Sequence, residues 1–94
     1  MTSVSGSMTT DRPERYASQL FSHWSEHGPV TTEGDATVQR WNTGQVVALR
    51  PIEGALEVEV SVPDGDDAAR FAQVVKAHLE RFGRREELTV VWHV

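Results

Sequence analysis

There is no cysteine among the 94 residues. That absence excludes disulfide frameworks, zinc fingers, iron–sulfur clusters and thiol nucleophiles together. No run approaches the roughly 18 apolar residues that span a bilayer. The N-terminus lacks both the basic start and the apolar segment of a secretory signal, so the expectation is a cytoplasmic protein with no membrane contact. No glycine-rich phosphate loop follows a strand-like run, which removes flavin and nicotinamide folds. Ser22, Ser25 and Thr89 supply hydroxyls, but none stands in a nucleophile elbow or beside a glycine-rich oxyanion loop. Basic residues are also scarce, nine against fourteen acidic, for a net charge of −5. Phosphate neutralisation needs a concentrated basic face, so nucleic acid is not the expected partner.

What remains is the composition of one small domain with 38% hydrophobic and 24% charged residues, enough for a single core and little more. Residues 1–10, MTSVSGSMTT, are small and polar with no apolar period and read as a disordered tail, Met8 being an alternative start. The domain is then 11–94.

DRPERYASQLFSHWSEHG reads as a first helix. Asp11 and Glu14 form a capping box, Pro13 sits in the first turn, and Tyr16, Ala17, Leu20, Phe21 and Trp24 make one apolar face. Gly28 and Pro29 end it, with glycine as a left-handed stop. ATVQRW and QVVALRP follow as strands around the reversal NTG. ALEVEVSV alternates Leu56, Val58, Val60 and Val62 with Glu57, Glu59 and Ser61, the pattern of a sheet covered on one side. A second helix spans about Asp66 to Phe82, with Ala68, Phe71, Ala72, Val75, His78, Leu79 and Phe82 as its inner stripe and Gly83 as its stop. ELTVVWHV is the last strand, with Leu88, Val90, Trp92 and Val94 on one face. The expected fold is α+β, a two-layer sandwich in the order α-β-β-β-α-β, with two helices on one face of a mostly antiparallel four-stranded sheet.

His23 and His27 are four apart, one helical turn, and two imidazoles at that spacing can chelate zinc, iron or copper. His78 is a third candidate ligand, which would place a divalent metal at His23, His27 and His78. Against this stands a packing reading, in which His78 donates one ring proton to a carbonyl while Trp24 and Phe82 shield the ring. Arg81 and Arg85 with Glu86 form a second constellation. Guanidinium forks clamp carboxylates or phosphates, but with acids so close the adopted reading pairs them with Glu86 or third-strand glutamates. A homodimer through the exposed sheet face would oppose Glu57 and Glu59 rows, so an edge-strand or helix-mediated dimer and a monomer stay open.

DRPERY, HWSEHGPV, AHLERF and REELTVVW together resemble the bacterial family called domain of unknown function 2218, over Asp11 to Val94. Thr43 stands where that family carries a second aromatic. Members occur alone or appended to siderophore-interacting proteins, so the resemblance implies iron handling, with a siderophore reductase as partner or a small iron-related ligand. It brings no catalytic residue. The expectation is a non-enzymatic accessory or binding module without a cofactor of its own. Its candidate surface holds Trp24, His78, Arg81, Arg85 and Glu86. The alternative is a metal-dependent enzyme or sensor built on the three histidines.

Overall fold

The computed structural model describes residues 1–93. In chain order the elements are β1 Thr2–Thr9, α1 Pro13–His23, β2 Val30–Glu33, β3 Ala36–Arg40, β4 Val46–Ile52, β5 Ala55–Val62, α2 Ala68–Phe82 and β6 Val90–His93. Single 3₁₀ turns lie at Ser25–His27 and Arg84–Glu86. The strands form one sheet in the order β2-β3-β4-β5-β1-β6, with every neighbouring pair antiparallel. Both helices pack on the same face of this sheet, so the α+β, two-layer expectation holds. The four-stranded sheet does not.

The first extra strand is the segment expected to be a disordered tail. β1 lies between β5 and β6, with Val4, Gly6 and Met8 opposite Val60, Val58 and Leu56. Met8 is fully buried. Gly6 carries no apolar signal because its neighbour fills its place: a Cβ there would lie 2.5 Å from the Val91 carbonyl oxygen and 2.7 Å from Trp92 Cε3. A glycine in a strand marks this kind of close approach. The alternate residues face outward, and the Ser3 and Ser61 hydroxyls meet at 2.7 Å. The second extra strand, β2, is an exposed edge joined to β3 through Gly34 at φ 66°. It buries nothing, so it has no alternation to read.

Helix ends also depart from expectation. Arg12 is the N-cap of α1, and Thr10 Oγ1 accepts its N–H; neither Asp11 nor Glu14 forms the capping box. Gly28 is extended, not left-handed. It is needed for space, since a Cβ would stand 2.0 Å from the Arg40 carbonyl oxygen. Gly83 ends α2 with a negative φ under Leu88, and the left-handed residue comes later, at Glu87. Asp67 caps α2 by accepting the Arg70 N–H at 3.0 Å.

The core is where the periodicities placed it. Tyr16, Ala17, Leu20, Phe21 and Trp24 of the first helical segment pack with Ala68, Phe71, Ala72, Val75 and Leu79 over Val47, Leu49, Leu56, Val58, Val60 and Val62. Trp92 and Phe82 join at the margin. Val94 lies outside the described residues.

Candidate functional site

Two clusters stand where the ends of α1 and α2 meet. The first is aromatic. α1 stops at His23, and the chain passes through buried Trp24 into a 3₁₀ turn, so His27 no longer sits one α-turn above His23. Its ring stacks on Trp41, with centroids 4.1 Å apart and planes 8° apart. Trp41 meets Trp24 and Phe71 edge-on at 5.0 and 5.1 Å. His78 lies 4.9 Å from Trp24, and His23 lies 5.4 Å from His78 and 5.8 Å from Phe82. The structure therefore brings His23 and His78 together and places His27 against Trp41. Among the described residues no group of three or more His, Asp or Glu is placed to hold one metal ion.

His78 is half-buried, and its Nδ1 lies 2.8 Å from the Val74 carbonyl oxygen. A carbonyl only accepts, so Nδ1 carries the proton and Nε2 keeps its lone pair in the neutral ring. Gln39 is a residue that its sequence pattern did not single out. Fully buried, it donates through Nε2 to the carbonyls of Trp24 at 2.7 Å and Gly28 at 3.1 Å, and accepts the Trp41 indole N–H at 3.1 Å. One side chain thus ties the end of α1 to the aromatic cluster. Its only signal in sequence was a polar residue sharing a strand face with Thr37.

The second cluster is cationic. Tyr16, buried near the start of α1, donates its hydroxyl to Glu86 in the turn after α2. Acceptance by Glu86 raises the Tyr16 pKa above its ordinary value near 10; burial and the carboxylate's charge add to this, while Arg15 and Arg12 oppose it. The same contact sets the turn carrying Arg84 and Arg85 beside the first turns of α1, which carry Arg12 and Arg15. Arg81 is one turn away on α2. The pairing expected of Arg81 and Arg85 with Glu86 is not made; Glu86 accepts from Tyr16. Among the described residues none of these five arginines is in an ion pair; the basic side chains that are paired are Arg40, Arg50 and Lys76. A shallow depression of roughly 600 Å3 lies along this seam, lined by Arg15, Ser18, Gln19, Ser22, His23 and Phe82. A more apolar groove of roughly 490 Å3 lies on the other flank of α1, beside Phe21, Val30 and Pro51. It shares Ser18 and Ser22 with the depression, and its one titratable group is Glu14.

On its β6 side α2 uses its charges differently. Glu80 Oε2 accepts the Val90 N–H at 2.9 Å and the Lys76 ammonium, which also donates to the Val90 carbonyl at 3.2 Å. Burial pushes the Glu80 carboxyl up, but these hydrogen bonds and the ammonium charge together hold its pKa below the usual range. The pair occupies both backbone groups of Val90 at the start of the edge strand, which would otherwise be open to another strand.

Among the described residues no helix is long and apolar enough to cross a membrane. The profile of a family described as uncharacterized proteins conserved in bacteria, DUF2218, matches residues 5–93. No curated protein matches the sequence. The NMR structure of PA4090 from Pseudomonas aeruginosa superimposes with a TM-score of 0.75 at 22% identity, covering 99% of this chain and 96% of that one. At that identity the likeness concerns the fold alone.

Proposed function

The chain belongs to this bacterial family, and from that premise we propose that it is a non-enzymatic binding module. Its ligand is anionic, and its binding surface is the seam between α1 and the end of α2. One observation carries the reading: an acidic protein gathers five arginines outside any ion pair among the described residues at one end of its helix layer. Guanidinium groups left without carboxylates are poised for bidentate contact with carboxylate, phosphate or phenolate oxygens. The depression beside them adds the hydroxyls of Ser18 and Ser22, the Gln19 amide and the edge of Phe82. The nearby acids and bases serve the fold. Glu86 holds Tyr16, Glu80 holds Val90 and Lys76, and His78 Nδ1 holds the Val74 carbonyl.

Iron handling is the finer part of the proposal. The resemblance to a family whose members accompany siderophore-interacting proteins supports a ferric chelate, or the reductase that receives it, as the occupant. Backbone amide NMR tests this with two probes: citrate, and the gallium(III) complex of a tris-catecholate chelate. The gallium complex matches the ferric one in charge without its paramagnetism. Shifts centred on Arg15, Ser22, His23, Phe82 and Arg85 with the gallium complex are expected. Equal shifts with citrate and none with the gallium complex would keep the anion site and remove iron. Shifts with neither would remove both.

A further inference from the structure

The seam holds a second feature that anion binding does not use. We propose that His23 and His78 form a two-histidine site for a borderline transition-metal ion such as Zn2+, Ni2+ or Cu2+, its outer coordination positions left to water or an incoming ligand. Two imidazoles bound to one ion, each through a nitrogen about 2.0–2.1 Å away, hold their ring centres roughly 5–6 Å apart. Those of His23 and His78 stand 5.4 Å apart. The bond from His78 Nδ1 to the Val74 carbonyl leaves the Nε2 lone pair as the ligating one. Metal-bound histidines generally carry such a bond, which fixes both tautomer and ring orientation. His23 is the last residue of α1, where the helix's carbonyl dipoles favour a cation.

The rings are backed by fixed neighbours. Trp24 lies 4.9 Å from His78, and Phe82 lies 5.8 Å from His23. Gln39 in turn anchors the Trp24 carbonyl. Imidazole nitrogens suit zinc, nickel and copper better than the hard cations. The protein supplies two ligands, consistent with the absence of any three-residue group among the described residues. His27, the expected chelating partner of His23, takes no part, because the α-helix ends before it.

The site borders the depression at His23 and Phe82 but does not rest on the anion reading. Calorimetry and imidazole nitrogen NMR with Zn2+ on the full chain test it. One equivalent should bind, with the His23 and His78 ring nitrogens shifting together. H23A and H78A should each weaken binding about tenfold or more, while H27A and H93A stay within about twofold. His23 is exposed, so H23A keeps the fold and remains decisive even if H78A unfolds. No stoichiometric Zn2+ binding, or a loss that follows His27 or His93 instead, would overturn the site. Citrate shifts that persist without zinc binding would strike the metal site alone, and zinc binding without citrate shifts the anion reading alone.

Discussion

On the flank of α2 that meets β6, Lys76 and Glu80 are tied to each other and to both backbone groups of Val90. At the end of α2 that meets α1, Arg81, Arg84 and Arg85 stand outside any ion pair among the described residues, although a carboxylate, Glu86, is their immediate neighbour. That carboxylate is held by Tyr16 instead. One helix therefore shows charge in two conditions a few residues apart: spent on closing a strand edge, and left available. Residues of the first kind should cost stability when changed, and residues of the second kind should cost binding.

The largest expected effect lies at Gln39, which anchors the seam. Gln39→Leu leaves the Gly28 carbonyl and the Trp41 indole N–H without their partner, and the Trp24 carbonyl with the His27 N–H alone. Each such orphan costs about 1–3 kcal/mol, so chemical denaturation should show a loss of several kcal/mol, or no folded protein. A loss below about 1 kcal/mol, the low end for one orphan, would mean that water replaces the side chain. Next comes the clamp. Glu80→Ala should cost about 1–3 kcal/mol and speed hydrogen exchange at the Val90 amide more than at the Val58 amide. The Glu80 pKa lies below its unfolded value, so its contribution is complete above about pH 4.5 and is lost as pH falls through the lower folded value. Acid should thus open β6 first, and an exchange profile in which β6 and β5 loosen together would contradict this.

Tyr16 offers a smaller effect with a clean readout, because it is the only tyrosine. Its folded pKa is raised, so the Glu86 contact stabilises below about pH 10 and is lost as pH climbs through the folded value. Tyrosinate absorbance should rise later than for free tyrosine, and E86Q should bring it back toward the ordinary value. An unchanged titration in E86Q would remove Glu86 as the cause. The smallest stability effect belongs to the arginines. Arg81→Ala and Arg85→Ala should each stay within about 0.5 kcal/mol of the parent, as exposed side chains without partners do.

Much of the fold was legible because it rests on burial. The stripes Tyr16–Leu20–Trp24 and Phe71–Val75–Leu79 and the alternation from Leu56 to Val62 are all inside. What escaped reading was structure without an apolar pattern to announce it. β1 sets buried Met8 among serines, threonines and a glycine whose space Trp92 occupies, and β2 is an exposed edge held by backbone pairing and by Arg40 bonding Glu33 and Thr31. The histidines show the same limit. His23 and His27 look like a helical pair by spacing, and only the end of α1 at His23 reveals that they part. His23 and His78 are far apart in sequence, and nothing local announces their meeting. Gln39 illustrates the converse, a polar residue in a strand that the core needs.

Whether the seam's arginines are held for a ligand and not for the fold can be settled with one double variant, Arg15→Ala with Arg85→Ala. Its thermal unfolding and its citrate-induced amide shifts would be measured on the same sample. The unfolding midpoint should stay close to the parent's, while the shifts at Ser22, His23 and Phe82 disappear. A midpoint that falls sharply while the shifts persist would return these arginines to the fold and remove them from the anion site.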